Sequence, residues 1–415
     1  MAGPRPLILV RRWLAAHWRD GLLLLTSISL AYAVLEVGYR FYQYRTLPDR
    51  LFAAVAAQLS NGPSATDQFM FDADTGYRYT PNFEGRRGAP WHSRWRTNSH
   101  GHVSQFEYPW RKPAGEYRIA VVGDSMTANI TNNVRWTELV EQQLNASEPW
   151  RAAVAGRFTR VINFGVDGMG MVQFAAMLRH HVLAFEPDLV IVNFITDDLL
   201  RRLRYLNRPH DGAGRNETVR LYVKTNFLDR IDWFRPYPEL LAATVGRFFG
   251  MKPRLPLDPL ALLAEDPAFK FDTRAEAIRA SAAAAREMLA AFTNILFLRE
   301  PMFQELEGWT LPEWDGLEQQ FEAAVPELPV VSMQPRMEAL LAGKRQKDRP
   351  DLAGLRWRQL WAMPDEQRLE LYRWFFQGDF HPTDYGTTLY AGEVARFLIE
   401  RSNGHRRPNG AANGE

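Results

Sequence analysis

The chain has 415 residues, of which 46% are hydrophobic and 24% are charged, and its formal net charge is +2. This length allows one large domain, or two, with a sizeable buried core, and the near-neutral charge balance gives no case for a nucleic acid partner. Because the chain contains no cysteine, disulfides, thiolate metal ligands and cysteine nucleophiles are excluded.

An uncharged apolar run from Gly21 to Leu35 lies near the N-terminus. It is shorter than the roughly 20 residues that span a bilayer, but the aromatic residues on both sides of it favour a membrane helix. We predict a cytoplasmic N-terminus at 1–20, a transmembrane anchor at 21–39 and a juxtamembrane linker at 40–68. A signal peptide cleaved after Ala33 and a soluble hydrophobic helix are the alternatives. The first two interpretations put the main domain outside the cytoplasm, in the periplasm or the extracellular space.

Residues 69–110 are rich in aromatic residues and turn signals, which predicts short antiparallel strands that lead into the main domain. The apolar run from Ile119 to Val122 then predicts a buried strand. Gly123 lets the chain turn after this strand, and Asp124 and Ser125 follow it, either as a helix cap or as functional residues.

Further apolar runs predict four more strands of the same sheet, and helical periodicity predicts helices between the first three strands. Alternating strands and helices indicate an α/β fold with a doubly wound, flavodoxin-like parallel sheet of five strands and helices on both faces. The four additional strands are predicted at Val161 to Phe164, Leu189 to Phe194, Ile295 to Leu298 and Pro329 to Val331.

The main domain is predicted to extend over 69–401. Within it, residues 199–266 interrupt the pattern with arginines, aromatic residues and prolines, and we interpret them as an insertion over the strand ends. Asp272 is the predicted N-cap of an alanine-rich helix. The residues at 402–415 are rich in Gly, Asn and Arg, which predicts a disordered tail.

A serine hydroxyl becomes a strong nucleophile only when a base takes its proton. Among the nine histidines, His381 is the one that follows the last strand in a turn, and Asp379 lies two residues before it. Ser125, His381 and Asp379 are therefore candidates for nucleophile, base and orienting acid. No ligand spacing of the His-Glu-x-x-His kind and no phosphate loop occurs, so we predict neither a metal nor a cofactor.

These motifs resemble those of the SGNH or GDSL hydrolases. The segment Gly123-Asp124-Ser125-Met126-Thr127 is similar to the first block of that family, Asn163 to Gly168 to its second block, and Asp379-Phe380-His381-Pro382 to its fifth block. The lead-in from Thr97 to Gly101, and Glu36 with Arg40, resemble membrane-anchored bacterial members.

The resemblance implies roles for individual residues. Ser125 would attack an ester carbonyl, with His381 as base and Asp379 as the acid that orients it. The backbone N–H groups of Ser125 and Gly168 would form the oxyanion hole. Asp379 and His381 are two positions apart, whereas the acid and base of many members are three positions apart, which is a mild departure.

The third block departs more strongly from the family. It normally reads Gly-x-Asn-Asp, with the asparagine amide in the oxyanion hole, whereas this chain has Ile195-Thr196-Asp197-Asp198. An ionised Asp197 cannot donate a hydrogen bond, and the loss of one donor costs on the order of 100- to 1000-fold in rate. Either Asp197 is protonated, or Thr196 or another donor replaces it, or the enzyme is slow or specialised.

The resemblance and the anchor together predict a serine esterase that removes O-acyl groups, such as acetyl, from an envelope or extracellular glycan. The expected partners are the membrane and this glycan. One alternative is an O-acyltransferase of the same fold that acts on a polysaccharide. The other, motivated by Asp197, is a weakly active or inactive component that binds glycan or acts as a scaffold in an envelope assembly.

Overall fold

The chain divides into two units in a computed structural model, Met1–Ala56 with Val219–Leu262 and Ala57–Thr218 with Leu263–Glu415. Most of the predicted insertion and nearly all of the predicted tail lie outside the described residues. The described residues are 6–64, 67–207, 214–226, 239–244, 270–352, 354–364, 366–377 and 379–404.

A long apolar helix, Pro6–Asn61, begins the first unit. Within the described residues it is the one helix whose length and composition would allow it to cross a membrane. Its large apolar side chains between Trp18 and Tyr42 are mostly exposed. Glu36 is buried and accepts hydrogen bonds from Arg40 Nε at 2.7 Å and from the Leu240 N–H at 2.9 Å. The predicted apolar helix is thus present, whereas its role as an anchor stays a prediction.

The residues between 69 and 110 contain two antiparallel hairpins, in agreement with the sequence pattern. Strand β1 (Phe69–Asp72) pairs with β2 (Gly76–Tyr79), and β3 (Glu84–Arg86) pairs with β4 (Arg94–Arg96). At Gly85 a Cβ would collide with the Trp95 indole ring. Glycine at this position therefore lets the tryptophan lie across the β3–β4 pair.

A parallel five-stranded sheet forms the centre of the second unit, which confirms the predicted α/β fold. The strand order is β6-β5-β7-β8-β9, the doubly wound order of flavodoxin-like sheets. All strand residues of the central β7 are buried, as expected for a sheet covered on both faces. The strands are β5 (Glu116–Gly123), β6 (Phe158–Asn163), β7 (Leu189–Phe194), β8 (Ile295–Arg299) and β9 (Val330–Ser332).

Helices enclose the sheet and bury alternate strand residues. Ile119 and Val121 of β5 pack in one apolar cluster with Trp136 and Val394, which lie on helices that cover one face. Two short helices, Arg215–Asn226 and Glu239–Thr244, lie partly and wholly in the first unit, respectively. The α-helices of the second unit within the described residues are Ser125–Ala128, Trp136–Ala146, Glu148–Ala153, Met171–Met177, Arg274–Ala291, Phe303–Glu307, Leu317–Ala324, Gln334–Leu340, Trp357–Trp361, Glu370–Trp374 and Asp384–Gly404.

Two local predictions need correction. The helix after β6 is α-helical only over Met171–Met177 and continues as a π-helical turn, Leu178–Val182. The N-cap of the alanine-rich helix is Thr273 and not Asp272, because the Thr273 hydroxyl accepts a hydrogen bond from the Glu276 N–H at 3.2 Å. Either residue type can cap a helix, so the sequence alone does not choose between neighbours.

Candidate active site

The carboxyl ends of β5, β6 and β7 bring three of the sequence motifs to one edge of the sheet. Because β5 pairs with both neighbours, Val121 lies opposite Asn163 and Gly123 lies opposite Asn193. The Val166 N–H donates to Gly123 O at 3.0 Å, so the loop after β6 lies beside the turn that carries Ser125.

Ser125, His381 and Asp379 form a hydrogen-bonded series at this edge. His381 Nε2 lies 2.9 Å from Ser125 Oγ, and His381 Nδ1 lies 2.8 Å from Asp379 Oδ2. With the proton on Nδ1, the imidazole donates to the carboxylate and leaves Nε2 free to accept the serine proton. The structure therefore brings together the three residues that the sequence selected, although they are 254 and 256 positions apart (379 − 125 and 381 − 125).

Burial and charge shift the pKa values of the acid and base in opposite directions. Burial would lower the pKa of His381, but the hydrogen bond and charge of Asp379, with Asp167 and Asp124 nearby, raise it above its ordinary value. Burial would raise the pKa of Asp379, but the hydrogen bond and charge of His381 and the Trp91 N–H lower it. The aspartate thus stays ionised and stabilises a protonated His381.

Trp91 is a site residue that sequence reasoning missed. Its indole Nε1 donates to Asp379 Oδ2 at 2.6 Å, the same oxygen that His381 contacts. Trp91 belongs to the loop between β3 and β4, in the predicted antiparallel extension. The aromatic content of that extension was visible in the sequence, but no spacing rule connects Trp91 to an acid 288 positions away.

Asp124 fixes the turn that carries the serine. Its Oδ1 accepts from the Met126 N–H at 2.9 Å and caps the short helix Ser125–Ala128. Of the two residues considered as a helix cap, Asp124 has this function, while the Ser125 hydroxyl faces His381. Below the turn, Asn193 of β7 donates to Thr127 Oγ1 at 3.1 Å and to Glu300 Oε2 at 2.8 Å.

Residues of the antiparallel extension at 69–110 form hydrogen bonds with the loop that carries Gly168. Asp167, one residue before it, accepts hydrogen bonds from Tyr79 at 2.6 Å and from Arg87 at 3.0 Å. Gly168 has a φ of 73°, a conformation that glycine adopts without a Cβ clash. Within the described part of the chain, the backbone N–H groups of Ser125 and Gly168 donate to no other protein group. Both are thus available to a ligand oxygen.

Asp197 is an acceptor in a cluster of cations. Its Oδ1 accepts from Lys270 Nζ at 2.7 Å and from Trp314 Nε1 at 3.1 Å, and its Oδ2 accepts from Arg201 Nε at 3.1 Å. Burial opposes ionisation, but the charges of Arg201 and Lys270 and the hydrogen bonds lower the pKa of Asp197. These contacts favour the ionised form over the protonated alternative, and an ionised carboxylate offers no proton to an oxyanion.

Thr196 is also engaged elsewhere. Its hydroxyl lies within hydrogen-bond distance of Glu305, at 3.0 Å, and of Glu318, and it can donate its single proton to one of these two carboxyl groups. The side chain of Thr196 therefore gives no support to its expected role as a substitute donor. Of the predicted oxyanion donors, the backbone N–H groups of Ser125 and Gly168 are the ones without another acceptor among the described residues.

Arg201 contacts the three loops that follow β5, β6 and β7. Its Nη1 lies 3.0 Å from Asp124 Oδ2 and 3.2 Å from Met169 O, while its Nε contacts Asp197. Nη1 also approaches Asp198 Oδ1 at 2.8 Å, but without the alignment of a hydrogen bond. Burial and the charge of Asp124 raise the pKa of Asp198 well above the ordinary value. We therefore consider Asp124 and Asp197 to be the main ionic partners of Arg201.

One group in the described residues has the spacing of a cation site, Asp72 with Asp74 and His181. Asp72 already pairs with Arg78, whose Nε lies 3.1 Å from Oδ2. An arginine bound to the central carboxylate opposes a cation there, so the group gives no reason to add a metal. The expectation that the enzyme needs neither metal nor cofactor stays a prediction.

The ion pairs of Asp197 predict a pH-dependent loss of stability in Asp197→Asn. The variant leaves the buried Arg201 and the partly exposed Lys270 without this partner, so the free energy of unfolding at pH 7 is expected to fall by about 1–3 kcal/mol. Because the pKa of Asp197 is lowered in the folded chain, its stabilisation is complete above the unfolded value of about 3.9 and is lost as the pH falls through the folded pKa.

Urea denaturation at pH 7 and at successively lower pH measures this effect. The difference between the original chain and Asp197→Asn should be largest near pH 7 and shrink in acid. Asp315→Asn is the matched control, since Asp315 is exposed and its side chain makes none of these contacts. Equal stability of both variants at pH 7 would show that the cluster does not stabilise the fold.

Comparisons with known proteins found similarity to acylhydrolases and esterases. The model of the GDSL-like lipase/acylhydrolase family matches residues 119–300. A lipase/acylhydrolase from Enterococcus faecalis is 13% identical over 69% of this chain and 96% of its own, with a TM-score of 0.35. Axe2, an acetylxylan esterase from Geobacillus stearothermophilus, is 14% identical over 68% of this chain and 93% of its own, with a TM-score of 0.34.

A two-domain esterase active on acetylated mannans is also similar, at 14% identity and a TM-score of 0.34, over 72% of this chain and 52% of its own. The chain thus spans about half the length of that esterase. No curated protein matches the sequence significantly. The structural likenesses are too low to carry an argument about substrate. The family match and the motifs carry the assignment: residues 119–300 belong to the GDSL-like lipase/acylhydrolase (SGNH) family, a family of ester hydrolases.

Proposed function

We propose that this esterase removes O-acyl groups, such as acetyl, from a glycan of the cell envelope or the extracellular space through an acyl-serine intermediate. The observation that carries the proposal is the hydrogen-bonded series of Ser125, His381 and Asp379 at the strand end. A base already in contact with the serine hydroxyl, and an acid that fixes the base, are what a serine nucleophile requires.

In the first half of the proposed reaction, His381 Nε2 takes the proton from Ser125 Oγ as the oxygen attacks the ester carbonyl. The N–H groups of Ser125 and Gly168 bind the oxyanion. The C–O bond to the sugar then breaks, and His381 gives its proton to the departing sugar hydroxyl. Asp379 keeps the proton on Nδ1 and stabilises the imidazolium that forms between these steps.

In the second half, His381 takes a proton from water, and the resulting hydroxide attacks the acyl-serine. Attack by hydroxide forms a tetrahedral intermediate. When this intermediate collapses, His381 returns the proton to Ser125 Oγ and the carboxylic acid is released. The raised pKa of His381 keeps the imidazolium stable during both proton transfers. It also means that neutral His381, the form needed for attack, is lost as the pH falls through this raised value.

The ionised Asp197 supports a slow or specialised esterase. With the family asparagine replaced, the proposed oxyanion hole has two backbone donors, and a missing donor costs on the order of 100- to 1000-fold in rate. The same observation favours the second candidate, a glycan-binding or scaffolding component with little or no activity. Reactivity of the serine distinguishes the two candidates.

The proposed substrate class and location are supported by the apolar N-terminal helix. As a single-pass anchor at 21–39, it would hold the esterase domain at the outer surface of the cytoplasmic membrane, where envelope glycans are assembled or modified. Its exposed apolar side chains support this arrangement.

A fluorophosphonate probe tests the proposed nucleophile. We expect the folded chain to be labelled at Ser125 and to hydrolyse p-nitrophenyl acetate. Ser125→Ala should lose labelling, and its hydrolysis should fall by at least about 1000-fold. Mass spectrometry of the labelled peptide and a colorimetric assay are the measurements, with Ser99→Ala as a control because Ser99 is exposed and bonded to Glu107.

An unlabelled but folded chain would contradict the esterase mechanism and support the scaffold candidate. If labelling occurs, products are analysed with and without a sugar acceptor. If acyl transfer to the sugar is faster than hydrolysis, the reaction is that of the O-acyltransferase alternative and not that of a hydrolase.

Trp91→Phe tests the hydrogen bond to Asp379 while keeping an aromatic ring. Without the indole N–H, the carboxylate of Asp379 is less stabilised and becomes more basic, which raises the pKa of His381 further. The acid limb of kcat/KM should therefore move to higher pH. At neutral pH, kcat/KM should fall about tenfold, as for the loss of one hydrogen bond to a charged group.

The pH profile of p-nitrophenyl acetate hydrolysis provides the measurement. Trp110→Phe is the matched control, because Trp110 is exposed and contacts His100 and Phe185 and not the catalytic series. A lower rate with an unshifted acid limb would indicate that Trp91 only packs the loop.

Membrane fractionation tests the proposed location. The full-length chain should remain in membranes after washing with sodium carbonate, and protease added outside the cytoplasmic membrane should digest the esterase domain. A variant without residues 1–61 is the control and should be recovered in the soluble fraction. A soluble mature chain that begins shortly after Ala33 would instead identify a cleaved signal peptide.

A further inference from the structure

The β3–β4 hairpin carries an unexplained concentration of positive charge beside a cavity. We propose that this cavity binds a carboxylate group of an acidic oligosaccharide, such as a uronate unit of the glycan substrate. The inference rests on the proposed glycan esterase and names the chemical class of its substrate. Its central residues are Arg86 and Arg94, which have no role in the proposed mechanism.

The cavity has a volume of about 360 Å³ and lies on the outer face of the hairpin. Four arginines and two glutamates contribute to its lining, so the formal charge of these side chains is +2 (4 − 2). In each of the two strands the first and third residues are exposed and the middle residue is buried. Arg86, Arg94 and Arg96 therefore lie on the same face of the hairpin.

The strand register opposes two of these charges directly. Arg86 of β3 lies opposite Arg94 of β4, whereas the neighbouring pair, Glu84 with Arg96, has opposite charges. Like charges at directly opposed positions destabilise a hairpin. Within the described residues neither Arg86 nor Arg94 has a salt bridge that would offset this repulsion. An anion between the two guanidinium groups would convert the repulsion into two attractions.

A buried third arginine strengthens the argument. Arg135 lines the same cavity with only 7% of its surface exposed. Its guanidinium donates to backbone carbonyls, among them Asn129 O at 3.0 Å and Arg94 O at 3.2 Å. Carbonyl oxygens satisfy its hydrogen bonds but do not neutralise its charge. Burial lowers the pKa of Arg135, and the charges of Glu138 and Asp384 oppose this shift without cancelling it. A carboxylate bound in the cavity would add a counter-charge beside this buried guanidinium.

The hairpin links this cavity to the proposed catalytic series. The connecting loop carries Arg87, which binds Asp167, and Trp91, which binds Asp379. Trp91 and Arg94 are three positions apart in the chain, so their Cα atoms are at most about 11 Å apart. A saccharide chain with its ester at Ser125 can therefore extend past Trp91 to the arginines. A carboxylate is suited to this position because arginine binds it with two parallel hydrogen bonds.

Isothermal titration calorimetry with tetragalacturonate tests the proposal on the full-length chain in detergent. This ligand carries carboxylates but no ester, so binding does not depend on catalysis. We expect binding to tetragalacturonate and none to neutral maltotetraose. The double variant Arg86→Gln/Arg94→Gln should bind about tenfold more weakly, as expected for two exposed arginine–carboxylate contacts. Arg111→Gln, at an exposed arginine outside the cavity, should bind normally.

Two further measurements separate this proposal from the esterase mechanism. The double variant should hydrolyse p-nitrophenyl acetate at the original rate, and its urea midpoint should not fall, because the substitutions remove a repulsion. Equal tetragalacturonate affinity in the original chain and the double variant would overturn the proposal, whether or not the esterase is active. So would arginine-dependent binding of glycerol 3-phosphate without binding of tetragalacturonate, which would identify a lipid headgroup site.

Discussion

The parallel register of β5 between β6 and β7 is the constraint on which the site depends. It sets Gly123 beside Asn193, and it continues beyond the strands in the hydrogen bond from the Val166 N–H to Gly123 O. A shift of one residue in either pairing would turn the side chains of that strand to the opposite face of the sheet. The serine turn, the Gly168 loop and the third block would then no longer meet. The apolar packing on both faces of the sheet thus also positions the polar groups of the site.

A second constraint is the balance of charge at the same edge. Asp124 and Asp198 are both buried, and the charge of Asp124 raises the pKa of Asp198, as expected for carboxyl groups buried together. Arg201 offsets the negative charge because its guanidinium contacts Asp124 and Asp197. Lys270 adds a second cation to Asp197. In this chain the departure from the family asparagine is therefore part of an ionic cluster, and changing it alone removes a partner of two cations.

The sequence predicted the features that depend on local pattern. The sheet strands follow from continuous apolar runs, and the closeness of Ser125 to His381 follows from the two motifs that carry them. The sequence did not indicate the contacts of Trp91 or the cations around Asp197. Those contacts join segments far apart in the chain, and they depend on how irregular loops fold over the sheet. No periodicity encodes such loops.

The β3–β4 hairpin shows why such loops matter for function. The hairpin contacts Asp379 through Trp91, and it contacts the Gly168 loop through the pair of Arg87 and Asp167. Its outer face also presents unpaired arginines. A segment that both supports the acid and extends to a charged cavity couples substrate binding to the geometry of Asp379, because a ligand that orders the hairpin also orders the indole. The proposed site has one oxyanion donor fewer than the family pattern. Such coupling would favour the reaction of the correct glycan over that of small esters, because binding energy far from the ester can position the reacting groups.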